Sequence, residues 1–167
     1  MDITLRREEE KDIEQVREIV RAAFPGEAES RLVDALRANG KAIISLVAVK
    51  GDEVLGHILF SSVTTTPPSD ARGIGLAPVA VHPSAQSQGI GSKLITEGLR
   101  LCKELGFDYC VVLGSPEYYQ RFGFAKASSF GIRNEYGVDD EFMIIRFSVR
   151  NVAGVVNYAS EFARFSV

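Results

Sequence analysis

Val79-Ala80-Val81-His82-Pro83-Ser84-Ala85-Gln86-Ser87-Gln88-Gly89-Ile90-Gly91-Ser92-Lys93-Leu94 decides how this chain is read. An apolar strand runs into a short polar turn with two glycines, and an amphipathic helix follows. That order brings several backbone N–H groups to one point beside the positive end of a helix dipole. Such a point binds phosphate. Two nucleotide-binding patterns fail here. The dinucleotide fingerprint needs a third glycine three residues beyond Gly91, where Leu94 stands. A Gly-Lys-Ser/Thr phosphate loop is not supplied by Gly91-Ser92-Lys93. A plain strand-to-helix connection stays open beside the phosphate site.

Working outward, Ile74 to Val81 reads as the strand leading into the turn, and its Pro78 predicts a bulge or a locally unpaired stretch. Gly89 to Leu105 reads as a helix with Ile90, Leu94, Leu101 and Leu105 inward, stopped by Gly106. Tyr109 to Leu113 is then a short strand. Ser115-Pro116 reads as N-cap and first residue of a brief helix ending near Gly123. Toward the N-terminus, Ile3 to Arg7 is a strand. Asp12 opens a helix with Gln15 as its capping-box partner, and Ile13, Val16, Ile19, Val20 and Phe24 share its apolar face. Ala28 to Ala38 forms a second helix, packing Leu32, Val33 and Leu36 and closed by Asn39-Gly40.

Ile43 to Val49 and Val54 to Val63 form a hairpin around Gly51-Asp52. Thr64 to Asp70 reads as a mobile polar loop. Phe142 to Val149 is a further strand, and Val155 to Tyr158 another. The order gives a mixed α/β (α+β) class, with antiparallel hairpins early and a strand–helix–strand crossover in the middle. At 167 residues, one domain over 1–167 is expected.

Hydrophobic residues make up 46% and charged residues 25%, the mix of a soluble globular protein. With a net charge of −3 and scattered Lys and Arg, no basic stripe offers a nucleic-acid surface. The opening Met1 to Arg7 runs straight into charge, so no signal peptide is expected. No apolar run approaches the roughly 20 residues of a membrane span, so no membrane partner is expected. Cys102 and Cys110 make no Cys-x-x-Cys pair, and with only two histidines no metal site is expected. A reducing, cytoplasmic setting fits.

What survives in the turn is Gln86-x-x-Gly89-x-Gly91 before a long helix. It resembles the acyl-CoA pyrophosphate loop of the GNAT N-acetyltransferase superfamily, whose pattern is Gln/Arg-x-x-Gly-x-Gly/Ala. Val79-Ala80-Val81-His82-Pro83 is similar to that family's fourth strand and its exit. Gly114-Ser115-Pro116-Glu117-Tyr118-Tyr119-Gln120-Arg121-Phe122-Gly123-Phe124 resembles the later Tyr-x-x-x-Gly-Phe element. The two matches lie about one helix and one strand apart, as the family requires. The layout looks like small prokaryotic members described as predicted N-acetyltransferases. The resemblance implies the GNAT fold, a central, mostly antiparallel sheet flanked by helices. It also implies acetyl-CoA as cosubstrate, held by Val79, Ala80, Val81, Gln86, Ser87, Gln88, Gly89, Ile90, Gly91 and Ser92.

The implied chemistry is acetyl transfer to a primary amine by direct attack. The amine must be neutral, although a free alkylamine has a pKa of about 10.4. The carbonyl oxygen needs a donor as it gains charge. The departing thiolate needs a proton. Tyr119 occupies the tyrosine position of the family element and is the expected catalytic donor. A buried, hydrogen-bonded aromatic is its structural alternative. Tyr118 projects about 100° away around the helix and reads as packing or substrate contact.

Ser115 reads as a cap, His82 as a turn residue and His57 as structural. Glu27, Glu29, Asp139, Asp140 and Glu141 border candidate acceptor segments, with solvated carboxylates as the first reading of each. Neither cysteine has an activating neighbour, so an acyl-cysteine route is disfavoured. A catalytically silent CoA-binding regulatory or interaction module is the alternative function. Pairing of apolar C-terminal strands in a homodimer is open.

Overall fold

A computed structural model describes residues 2–165. In chain order the elements begin with β1 (Thr4–Arg7), α1 (Ile13–Ala23), α2 (Ala28–Ala38), β2 (Ile44–Lys50) and β3 (Glu53–Thr66). They continue with β4 (Gly73–Val81), α3 (Ile90–Glu104), β5 (Tyr109–Leu113) and α4 (Pro116–Tyr119). β6 (Ala125–Lys126), β7 (Ile132–Asn134), β8 (Phe142–Arg146), β9 (Gly154–Asn157) and α5 (Ser160–Arg164) complete the order. Two compact units are formed. The first takes the chain up to Phe60, Ala77–Gly98 and the stretch from Ser160. The second takes Ser61–Leu76 and Leu99–Ala159.

In the first unit β1, β2 and the start of β3 pair antiparallel, from Thr4↔Val49 to Arg7↔Leu46 and from Lys50↔Glu53 to Ile44↔Phe60. Val16, Ile19 and Val20 of α1 and Val33 of α2 pack on Val47, Val49, Val54 and Ala80. Burying such side chains stabilises by about 1.5–3 kcal/mol each. α3 covers the other face of β3. There a Cβ at Gly56 would lie 2.8 Å from Ile90, and one at Gly98 only 2.3 Å from the Phe60 ring. Glycine at both positions lets helix and strand approach. α5 is tied down by Glu161, 3% exposed, which accepts from Asn39 at 2.6 Å and pairs with Lys41 at 2.8 Å. The hydrogen bond from Lys41 is the main reason its carboxyl falls to about 2.

The helix start at Asp12 differs from the sequence reading. A short 3-10 turn over Glu10–Asp12 precedes α1, and the reciprocal capping box joins Glu9 to Asp12. Asp12 also accepts two bonds from Arg6, at 2.7 and 2.9 Å. Gln15 is no capping partner. It accepts from Val54 N–H at 2.9 Å and so pins the β2–β3 hairpin to α1. An i+3 spacing cannot separate these roles, because a distant backbone donor outcompetes the local one.

In the second unit β4 runs parallel to β5 from Gly73↔Tyr109 to Leu76↔Val112. β8 pairs antiparallel with β5 and with β6. β9 pairs antiparallel with Thr64–Thr66 of β3 and parallel with β7. Thr64, Thr65 and Thr66 are therefore strand, where the sequence suggested loop; β-branched threonine suits the pairing that β9 provides. β8 ends at Arg146, short of Val149: Phe147 N–H still reaches Asp108 O at 2.7 Å in the β5 register, but Val149 is 99% exposed. Leu105, expected inward, is 42% exposed beyond the end of α3, and Cys102 is the buried residue on that turn. The class is mixed α/β with mostly antiparallel pairing and flanking helices, the architecture that the sequence resemblance implies.

Candidate active site

In the first unit the end of β4 passes into the glycine turn. His82 N–H donates to Leu55 O at 2.8 Å, which holds the strand exit against β3. A 3-10 turn over Pro83–Ala85 follows, with Ala85 buried. The Gln86 side chain reaches back to Val81 O at 3.4 Å. Gln86, Ser87, Gln88 and Gly89 are exposed. Ser87 has φ +67 and Gly89 φ +80, with Gln88 between them at negative φ. Reversals of φ of this kind recur where successive backbone amides converge on an anion.

α3 begins at once. Lys93 N–H closes the first helical bond on Gly89 O at 3.1 Å, so the amides of Ile90 and Gly91 precede any helix carbonyl that could accept them. A Cβ on Gly89 would meet nothing within 4 Å. Glycine is therefore set there by the left-handed backbone and not by packing, and the space over it is open.

Val79 and Val81 are half-buried, whereas Ala80 is 3% exposed and belongs to the apolar cluster under α1. Only main chain is left at Ala80 to meet a ligand. The ladder to β5 stops at Leu76, just ahead of Pro78, in line with the unpaired stretch that the proline predicted. Ile90 is buried, and Gly91 and Ser92 are half-buried on the first turn of α3.

In the second unit Tyr119 is 8% exposed at the end of α4. Its ring stands edge-on to Tyr118 at 5.1 Å and to Phe124 at 5.7 Å. Burial, with smaller contributions from Tyr118 and Cys110, pushes its hydroxyl up to about 12. Such a phenol keeps its proton at neutral pH and acts as donor rather than base. Gly114 makes room for the ring: a Cβ there would lie 2.3 Å from Tyr119 Cε2. The sequence reading missed this role; the signal was a glycine directly after a strand and five residues before the tyrosine.

Ser115 stands at the N-cap of α4 without a side-chain cap bond, contrary to expectation; its carbonyl accepts Tyr119 N–H at 3.0 Å. The Arg121 guanidinium lies 5.3 Å from the Tyr118 ring. Among the other candidates, Glu27 pairs with Arg31, while Lys126 holds Asp139 and Asp140, each at 3.2 Å. A hydrogen bond from Ser128, then Lys126, lowers the Asp139 carboxyl, which makes it a weaker base. His57 is fully buried, bonded to Ser45 Oγ at 2.8 Å and pushed down to about 3 by burial. Its role is structural. Cys102 and Cys110 are free and buried, and burial raises the Cys110 thiol well above its usual range. Among the described residues no helix is long and apolar enough to cross a membrane.

Residues 13–124 match the model of the Acetyltransferase (GNAT) family. The chain belongs to the GNAT acetyltransferases. It is 34% identical to the uncharacterized N-acetyltransferase YhbS of Escherichia coli strain K12, over 88% of this chain and 90% of that one. The crystal structure of YhbS, a GNAT family N-acetyltransferase solved in complex with CoA, superposes with a TM-score of 0.92 at 32% identity. That comparison covers 98% of this chain and 93% of the other. A GNAT family acetyltransferase from Brucella melitensis, in complex with acetyl-CoA, gives 0.82 at 36% identity, covering 96% and 98%.

Proposed function

We propose that this GNAT member moves an acetyl group from acetyl-CoA to a primary amine by direct attack, as one domain spanning 1–167. The observation that carries the reading is the exposed main chain from Ser87 to Gly89, with φ +67 and +80, ending at the N-terminus of α3. The open space over Gly89 fits a diphosphate approaching the backbone. The two similar proteins solved with CoA and acetyl-CoA support the same ligand here.

Gln86, Ser87, Gln88, Gly89, Ile90, Gly91 and Ser92 hold the diphosphate through main-chain amides. Val79 and Val81 pair with the pantetheine amides, extending the sheet by one pseudo-strand, with Ala80 between them. The amine nitrogen attacks the thioester carbon, the C–N bond forms and the C–S bond breaks. Tyr119 delivers its proton to the departing sulfur. A phenol at about 12 faces a thiolate whose acid has a pKa of about 8.5, so the proton must move as the bond breaks and placement dominates. Water takes the proton released by nitrogen and restores that of Tyr119. The acceptor is a small molecule or peptide amine in a reducing cytoplasm.

A panel of primary amines offered with acetyl-CoA, followed by release of free thiol, tests the reading. Turnover with at least one amine is expected. CoA binding without turnover on any amine would favour the silent module, and no binding would overturn both.

A further inference from the structure

The turn over Pro83–Ala85 stands between β4 and the loop proposed to hold the diphosphate, and a histidine caps it. His82 Nδ1 accepts from Ser84 N–H at 3.1 Å and lies 2.7 Å from Ser84 Oγ. A backbone N–H can only donate. Nδ1 therefore carries no proton in this arrangement, and the ring proton sits on Nε2. His82 performs the task for which Asn, Asp or Ser is usually chosen at a helix N-cap. Its main chain is fixed independently by the bond to Leu55 O, and Pro83 follows as the first residue of the turn.

Beyond the turn, Gln86 returns to Val81 O, so residues 82–85 form a closed clasp between one anchor on β3, Leu55 O, and one on β4, Val81 O. The two reversed residues, Ser87 and Gly89, begin directly after that clasp. They are exposed, and no packing of their own aims their amides. α3 fixes the far end of the loop, where Lys93 N–H closes on Gly89 O and Ile90 is buried, and the clasp fixes the direction in which the loop leaves the strand.

We propose that His82 is a positioning residue for acetyl-CoA: its Nδ1 cap fixes the turn that aims the loop amides. This rests on the assignment of the Gln86–Ser92 loop to the diphosphate. The imidazole needs no contact with the ligand and takes no part in acetyl transfer.

Asparagine separates this role from a general structural one, because its Oδ1 takes the place of Nδ1 as acceptor. His82→Leu removes the acceptor and keeps the bulk. Binding of CoA by calorimetry, KM for acetyl-CoA, kcat and Tm are measured for wild type, His82→Leu and His82→Asn. For His82→Leu, Kd and KM are expected to rise about fivefold, the equivalent of one lost cap, with kcat within twofold. His82→Asn is expected to restore both constants to within twofold of wild type. Tight binding by His82→Leu overturns the proposal, as does failure of His82→Asn to restore binding while Tm is unchanged. Should His82→Leu not fold, the asparagine variant alone decides. Wild-type protein that does not bind CoA would instead overturn the loop assignment itself, and the proposal with it.

Discussion

Residues Gln86 to Gly89 lie exposed and offer main chain, whereas Tyr119 is 8% exposed and offers a single hydroxyl. In the glycine turn, the proposed grip on the diphosphate rests on the sign of φ at Ser87 and Gly89 and on the start of α3. On α4 the proposed proton donor is one side chain whose proton affinity is raised by burial among Tyr118, Phe122 and Phe124. The two sites should therefore fail differently. A main-chain site survives changes of side chain but not loss of backbone shape or of ligand approach. A side-chain site depends on one atom and on whatever fixes that atom.

The largest expected effect is from Gly89→Glu. At φ +80 any side chain is strained, and a carboxylate would enter the space left for a diphosphate. CoA affinity measured by calorimetry should fall by at least about 10³-fold, the outcome expected when steric exclusion and charge repulsion act together. Retained affinity would break the comparison, because the turn would then not be the binding element. Tyr119→Phe comes next. Removing one hydroxyl should leave CoA binding within twofold and lower kcat by about 10²-fold. Unchanged turnover would take Tyr119 out of the mechanism and leave it as a packed aromatic.

Gly114→Ala sharpens the contrast by disturbing the tyrosine without altering it. The new Cβ would lie 2.3 Å from the ring, which has Phe124 and Tyr118 against it. Overpacking should lower stability by about 1–3 kcal/mol, and the displaced hydroxyl should cost about tenfold in kcat. CoA affinity should stay as it was. Thermal unfolding and steady-state kinetics on one preparation read both. A drop in kcat no larger than the loss of folded protein would show that placement of the ring is not limiting.

Legibility followed the same divide. The shape of the glycine turn was readable because backbone demands are written directly as residue types: Gly89 marks reversed φ, and the apolar period of α3 marks the helix that follows. Tyr119 was named from a resemblance, since nothing local in Tyr118-Tyr119 tells which ring is buried. Gln15, Gly114 and the Thr64–Thr66 stretch were misread or missed for one shared reason. Each takes its meaning from a partner far along the chain: Val54, the Tyr119 ring, and β9. Ser87 was named with the loop, but its left-handed backbone escaped for another reason, because serine carries no expectation of that conformation.

Ser87→Gly is the smallest and most exacting test. Serine in the left-handed region costs about 1 kcal/mol, and glycine would remove that strain. Glycine also gains unfolded-chain freedom worth about 0.5–1 kcal/mol, which cancels most of the benefit. Stability should therefore shift by no more than about 0.5 kcal/mol, or about 2 °C in Tm for a chain of this size. If the loop grips through amides alone, CoA affinity should stay within twofold of wild type. A tenfold loss would mean that the Ser87 hydroxyl itself binds phosphate. The turn would then share with α4 a dependence on a single side-chain oxygen, and the contrast between the two sites would narrow to burial.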